Sequence, residues 1–177
     1  MIKHPHKILI SKNKISKRTA ALGQKITRDY QGKDLVVVCV LKGAFMFCAD
    51  LIRHIGLPLQ CEFFGISSYG AETQSSGIIK TTLDVSSPLH GKDILIVEDI
   101  VDTGLTIDYL IKTFSMRHPT SLKVCTLLLK PECLKTKVTI DYCGFEIGKN
   151  FVVGYGMDHA EKYRNASDLL LLFPKKR

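Results

Sequence analysis

The chain has 177 residues, of which 45% are hydrophobic and 24% charged, with a net charge of +8. That length fits one domain with a sizeable apolar core, and no stretch approaches the ~18 consecutive apolar residues that a membrane span requires. Met1 to Lys7 offers no apolar signal core, so a cytoplasmic, non-membrane protein is expected.

The positive charge is uneven: residues 1–33 hold nine Lys or Arg against the single acid Asp29. A solvated basic helix face explains this most simply, and a field that attracts phosphates is the second reading. Six cysteines form no Cys-x-x-Cys pair, and Cys39, Cys61 and Cys125 sit inside apolar runs, which fits buried reduced thiols.

Ser11 stands where a helix cap is expected, before Ile15, Leu22, Ile26 and Tyr30 at helical spacing, and Gly32 is a plausible stop. Leu35–Leu41 is a continuous apolar run, suited to a strand covered on both faces. A second helix is expected over Ala44–Ile55, ended by Gly56. Its apolar surface exceeds one core-facing stripe, which hints at a subunit interface. Strands at Leu59–Ile66 and Ile78–Val85 flank a polar loop, Ser67–Gly77, longer than a turn needs. A strand at Asp93–Val97 leads through a turn into a helix with Ile107, Leu110, Ile111 and Phe114 on one face. Strands at Leu122–Leu129, near Ile140, and at Phe151–Tyr155 and Leu169–Phe173 complete the reading. The alternation implies an α/β fold: a central, mostly parallel sheet flanked by helices, forming one domain over residues 1–177. The terminal segments, about 1–12 and 140–177, are expected to form a small hood.

In an open parallel sheet, ligands bind beyond the carboxyl ends of the strands. Three buried-looking strands release polar residues there: Lys42-Gly43, Glu98-Asp99 and Lys130. The richest segment is Ile94–Thr106. Adjacent carboxylates suit ribose hydroxyls and a hard cation. Asp102-Thr-Gly-Leu-Thr106 then enters a helix, whose free amides, two hydroxyls and a glycine make a phosphate cradle. Phosphate beside carboxylates needs a metal or a sugar between them, so the pattern points to a phosphorylated sugar bound with Mg²⁺.

This segment resembles the phosphoribosyl-pyrophosphate signature of the type I phosphoribosyltransferases. With Leu41-Lys42-Gly43, Ser68-Tyr69, Leu129-Lys130, Gly144–Ile147, Phe151–Tyr155, Asp158 and Arg164 in the family's order, it is similar to the hypoxanthine–guanine branch from about Lys7 to Phe173. The resemblance implies transfer of a phosphoribosyl group from phosphoribosyl pyrophosphate to a 6-oxopurine, with Mg²⁺ and a homodimeric or homotetrameric assembly. It further implies that Lys42, Gly43 and Arg164 hold pyrophosphate, the Leu41–Lys42 peptide often being cis in relatives. Glu98 and Asp99 would bind the ribose diol and the metal, and Thr103, Gly104, Leu105 and Thr106 the 5′-phosphate. Asp102 would be the general base near purine N7. Lys130 would donate to the 6-oxo group, Phe151 would stack on the ring, and the Val152 backbone would read its edge. Asp158 would lie by the base and a metal, and Ser68 and Tyr69 would open a lid. Leu105 stands where some relatives carry lysine, so the cradle has no side-chain cation at that position. The alternative is a phosphoribosyl-pyrophosphate-sensing regulator that binds nucleic acid; Lys130 and the Phe151-Val152 platform argue against it, since a sensor need not read a purine.

Overall fold

The computed structural model describes residues 6–68 and 79–173. Its elements, in chain order, are β1 (His6–Ile10), α1 (Lys12–Asp29), β2 (Leu35–Leu41), α2 (Phe45–Ile52), β3 (Gln60–Ser68), β4 (Ile79–Leu83), β5 (Asp93–Val101), α3 (Leu105–Ser115), β6 (Ser121–Leu129), β7 (Tyr142–Glu146), β8 (Val152–Val153) and β9 (Leu169–Leu172). Six strands form one sheet in the order β4-β3-β2-β5-β6-β7, and three form another in the order β1-β9-β8. Within the larger sheet only β4 runs antiparallel to its neighbour.

The sheet is buried on both faces because alternate residues of its central strands meet different helices. Val37, Cys39, Leu95 and Val97 pack with Ile15, Leu22 and Ile26 of α1 and Phe47 and Leu51 of α2. Val36, Val38, Ile94 and Ile96 pack with Ile107, Leu110 and Phe114 of α3. Such two-sided burial is why β2 and β5 read as unbroken apolar runs. The small sheet adds Ile10, Val152 and Leu169 to the core on the α1/α2 side.

Several boundaries differ from the sequence reading: β3 runs on through Ser67 and Ser68, expected in the loop, β8 keeps only Val152–Val153 of the expected Phe151–Tyr155, and four further differences have identifiable causes. The β5 strand does not stop at Val97. Its pairing with β6 continues through Glu98↔Thr126, Ile100↔Leu128 and Val101↔Leu129, so Glu98 and Asp99 lie in the strand and not in a turn after it. The α2 helix ends at Ile52, where the amides of His54 and Ile55 bond carbonyls three residues back at 2.9 and 3.2 Å and tighten the chain. The strand expected near Ile140 begins at Tyr142, after Asp141 has bonded the backbone of Val124 with both its amide and its carboxylate. Tyr142–Glu146, grouped above with the hood, pairs with β6 in the large sheet; the small sheet takes its later strands from Val152 onward.

The start of α1 is also capped differently. Ser11 occupies the cap position, with extended φ and ψ, but its hydroxyl makes no capping bond. The Lys12 amide instead donates to Asp168 Oδ1 at 2.7 Å, which satisfies one orphan donor and places an anion at the positive end of the helix. Loss of a capping side chain costs about 0.5–2 kcal/mol. Asp168→Ala is therefore expected to lower stability by about 1 kcal/mol, whereas Ser11→Ala leaves it nearly unchanged. Urea unfolding of both variants measures the contrast.

Candidate active site

The carboxyl ends of β2, β5 and β6 converge on one edge of the large sheet, facing the 151–164 segment. The Leu41–Lys42 peptide after β2 is cis. The chain then passes Asp99 so closely that a β-carbon on Gly43 would overlap Asp99 Oδ2. Gly156, at φ +100°, packs on the Gly43 carbonyl with equally little clearance. Only glycine fits at 156, where backbone obstructs, and a β-carbon at 43 would have to push the buried Asp99 carboxyl aside. This three-way contact joins β2, β5 and the hood.

Glu98 and Asp99 are buried, at 7% and 8% exposure. Burial and the adjacent Asp99 carboxylate hold Glu98 well above the ordinary carboxylate range. Burial also raises Asp99, against the amide of Ile100, which bonds its Oδ1 at 2.8 Å, and the opposing charge of Arg164. Glu98 Oε2 has no hydrogen-bond partner. A buried carboxylate oxygen left unpaired is costly and calls for a ligand.

A cleft of about 210 Å³ is lined by Asp99, Ile100, Asp102, Lys130, Phe151, Val152, Met157 and Asp158. Lys130 enters it from the end of β6 and is almost wholly buried, its Nζ bonded to Asp102 Oδ2 at 2.7 Å. Phe151 is half exposed at the mouth and meets His159 edge to face at 5.5 Å. Next to it, about 80 Å³ of space is lined by Asp102, Thr103, Gly104 and Thr106 at the start of α3. Gly104 turns the chain at φ +81°. Thr103 accepts the Leu105 amide at 3.5 Å through its hydroxyl and the Lys135 amide at 2.9 Å through its carbonyl. Leu105 is exposed and adds no charge there.

On the far side, Arg164 bonds the Gly156 carbonyl and Asp158 Oδ1, both at 2.8 Å, and approaches Glu161 at 3.5 Å. The turn carrying it is not helical: Ala160, Glu161 and Tyr163 have positive φ. Lys42 is exposed and pairs with Glu161 at 3.2 Å. The structure thus gathers Asp99, Asp102, Lys130, Phe151, Val152 and Asp158 around one cleft. Thr103, Gly104 and Thr106 adjoin it, Gly43 and Arg164 pack beside Asp99, and Lys42 and Arg164 converge on Glu161. Ser68 ends β3, and Tyr69 lies outside the described residues. Sequence reading missed Ile100 and Met157, apolar residues with no chemical signature, and Glu161. It also missed Gly156, although Gly154-Tyr-Gly156 could have signalled a close backbone approach.

A larger apolar cleft of about 480 Å³ lies between α1, α2 and residues 165–167, with Phe45, Met46 and Ala49 on its wall. Lys12, Asn13, Ser16 and Asp50 also line it, but the ion-paired Lys130 and Asp102 with Asp99 and Asp158 lie in the smaller one. Among the described residues, no three His, Cys, Asp or Glu side chains gather to hold a metal by themselves. Magnesium does not require this, since it is commonly held by one or two carboxylates with water and substrate phosphates. The unpaired Glu98 oxygen and its neighbour Asp99 fit that donor set.

Helix-flanked parallel strands thus bring paired carboxylates and the glycine turn at the start of α3 to one edge of the sheet. The phosphoribosyl transferase domain model matches residues 8–160, and the chain belongs to that family. Relatives within it include the hypoxanthine-guanine phosphoribosyltransferases of Bacillus subtilis, 46% identical over 98% of this chain and 97% of theirs, and of Mycobacterium tuberculosis, 45% identical over 95% and 86%. A crystal structure of a hypoxanthine phosphoribosyltransferase from Staphylococcus aureus superimposes with a TM-score of 0.91, at 40% identity over 95% of this chain and 91% of the other. The nucleic-acid-binding alternative finds no support among these relatives.

Glu98→Gln keeps the shape of the side chain and removes its charge. Because burial raises the native value above the unfolded 4.5, ionisation of Glu98 subtracts stability as pH rises from that point through the raised native value. The variant is expected to melt higher than the parent at pH 8 without substrates, each kcal/mol of relief being worth roughly 2–4 °C. The gap should close toward pH 4.5. Thermal melts across this range test it, and an equal or lower melting temperature at pH 8 contradicts it.

Proposed function

We propose that this chain transfers the 5-phosphoribosyl group of phosphoribosyl pyrophosphate to hypoxanthine or guanine, releasing pyrophosphate, as a cytoplasmic purine-salvage enzyme. One observation carries the reading. A nearly buried lysine, Lys130, shares a cleft with a carboxylate, an exposed aromatic ring and the carboxylate strand of a phosphoribosyl site. An ammonium group has three donors, so its bond to Asp102 leaves others for a 6-oxo oxygen. Adenine presents an amino donor at that position, which an ammonium opposes.

In this reading Phe151 stacks on the purine and the Val152 backbone reads its edge, while Asp102 takes the ring proton as the glycosidic bond forms. Lys130 both orients the base and holds the Asp102 carboxylate in place. Thr103, Gly104 and Thr106, with the first amides of α3, bind the 5′-phosphate; Glu98 and Asp99 take the ribose hydroxyls; Lys42, Gly43 and Arg164 receive pyrophosphate. Mg²⁺, held by Glu98 and Asp99 with substrate oxygens and with Asp158 nearby, would neutralise charge on the leaving group. The protein's work is to position the reactants and to stabilise positive charge at the sugar carbon. The exposed Phe45 and the apolar cleft along α2 suit a homodimeric or homotetrameric assembly.

Steady-state kinetics with hypoxanthine, guanine, xanthine and adenine test the base assignment. Lys130→Ala should reduce kcat/KM for 6-oxopurines by about 10- to 100-fold, the worth of a charged hydrogen bond of roughly 1.5–3 kcal/mol. The KM for phosphoribosyl pyrophosphate should change little; an equal loss for both substrates defeats the 6-oxo role. For Asp102→Asn, kcat is expected to fall about 10²–10⁴-fold with phosphoribosyl-pyrophosphate binding retained.

A further inference from the structure

Glu161 is an acidic side chain placed on the pyrophosphate side of the cleft. Its Oε2 lies 3.2 Å from Lys42 Nζ and 3.5 Å from Arg164 Nη2, so one carboxylate oxygen bridges two cations. Those cations come from distant parts of the chain, one after β2 and the other from the turn before β9. Burial does not hold the carboxylate there, because the side chain is 68% exposed. The backbone helps to aim it: Glu161 has φ +59° between Ala160 at +50° and Tyr163 at +77°, and its amide is fixed by Asp158 Oδ2 at 2.8 Å. Side chains other than glycine seldom adopt such a conformation. The hydrogen bond from Lys42 and the charge of Arg164 hold its carboxyl below the ordinary range.

We infer that Glu161 is the resident counter-anion of the pyrophosphate site, engaging Lys42 and Arg164 when the site is empty and competing with pyrophosphate for both. The inference rests on the reading that these two cations bind pyrophosphate. An entering pyrophosphate must displace Glu161 from each and then tolerate its negative charge nearby. Glu161 thereby weakens pyrophosphate binding and eases its departure, without touching the purine. It is a positioning residue, acting through the two cations.

The test is the reverse reaction, in which a purine nucleoside monophosphate and inorganic pyrophosphate are combined in magnesium buffer. Exposed ion pairs are individually weak, so removing both should tighten pyrophosphate binding only modestly, by about two- to tenfold. Glu161→Gln is accordingly expected to lower the KM for pyrophosphate by that factor while the forward KM for hypoxanthine stays at the parent value. Lys42→Ala, measured alongside, should raise the pyrophosphate KM. If Lys42→Ala weakens pyrophosphate but Glu161→Gln does not tighten it, the competition inference fails and the site assignment stands. If Lys42→Ala has no effect on pyrophosphate, the site assignment fails and the inference falls with it. A parallel change in hypoxanthine KM for Glu161→Gln would mean a displaced hood and would also overturn it.

Discussion

At the carboxyl edge of the large sheet, Gly43, Asp99 and Gly156 meet without room for a β-carbon on either glycine. Gly43 is the common member: it lies against Asp99 of β5 on one side and carries Gly156 of the 151–164 segment on the other. Because Asp99 is clamped from the side, β5 can carry Glu98 and Asp99 into the protein interior, where carboxylates ordinarily pay a desolvation penalty. The penalty is only partly relieved: Ile100 donates one amide bond to Asp99, and Glu98 keeps an unpaired oxygen. In the proposed function, stability given up here would leave donor atoms available for a sugar and a cation, the usual trade of stability for activity.

The other charges at the site are already matched to one another. Lys130 is held by Asp102 and Arg164 by Asp158. Lys130 and Asp102 are both assigned to the purine, so their bond can persist when the base binds, whereas Arg164 and Asp158 are assigned to different parts of the substrates. The groups are pre-oriented by these bonds, which reduces the ordering cost at binding. Lys130 is the clearest instance, since it is nearly buried and could not remain there as an unpaired cation.

What the sequence revealed followed from patterns that are local. The apolar runs of β2 and β6 matched their strands within a residue, because two-sided burial writes itself into consecutive positions. The signature from Glu98 to Thr106 was readable because phosphate, ribose and proton chemistry each demand particular side chains at close spacing. The errors came where distant residues decide. Nothing near Val97 says that β6 will extend the strand over two acids, and Ser11 looks like a cap until Asp168, 156 residues from Lys12, takes the work. Met157 and Ile100 escaped notice because a cleft wall needs only bulk, and bulk looks the same in a core. Glu161 was legible only as a neighbour of Arg164 in sequence; its contact with Lys42 is a product of the fold.

The small sheet pairs β1 with β9, the first described strand with the last. The large sheet needs nothing beyond Glu146, and most of its pairings join strands close in sequence. During vectorial synthesis the phosphate cradle and the carboxylate strand can therefore assemble early, as local parts of an α/β layer. The proposed base platform at Phe151 and Val152 must wait, because β8 gains its partner only when Leu169–Leu172 has emerged, and the small sheet is complete only when β1 has joined the other edge of β9. Loop closure over that span is slow relative to local pairing. The order of assembly thus separates the two halves of the proposed site in time: the half assigned to the sugar phosphate is built with the scaffold, and the half assigned to the purine is completed with the closure of the outermost described strands.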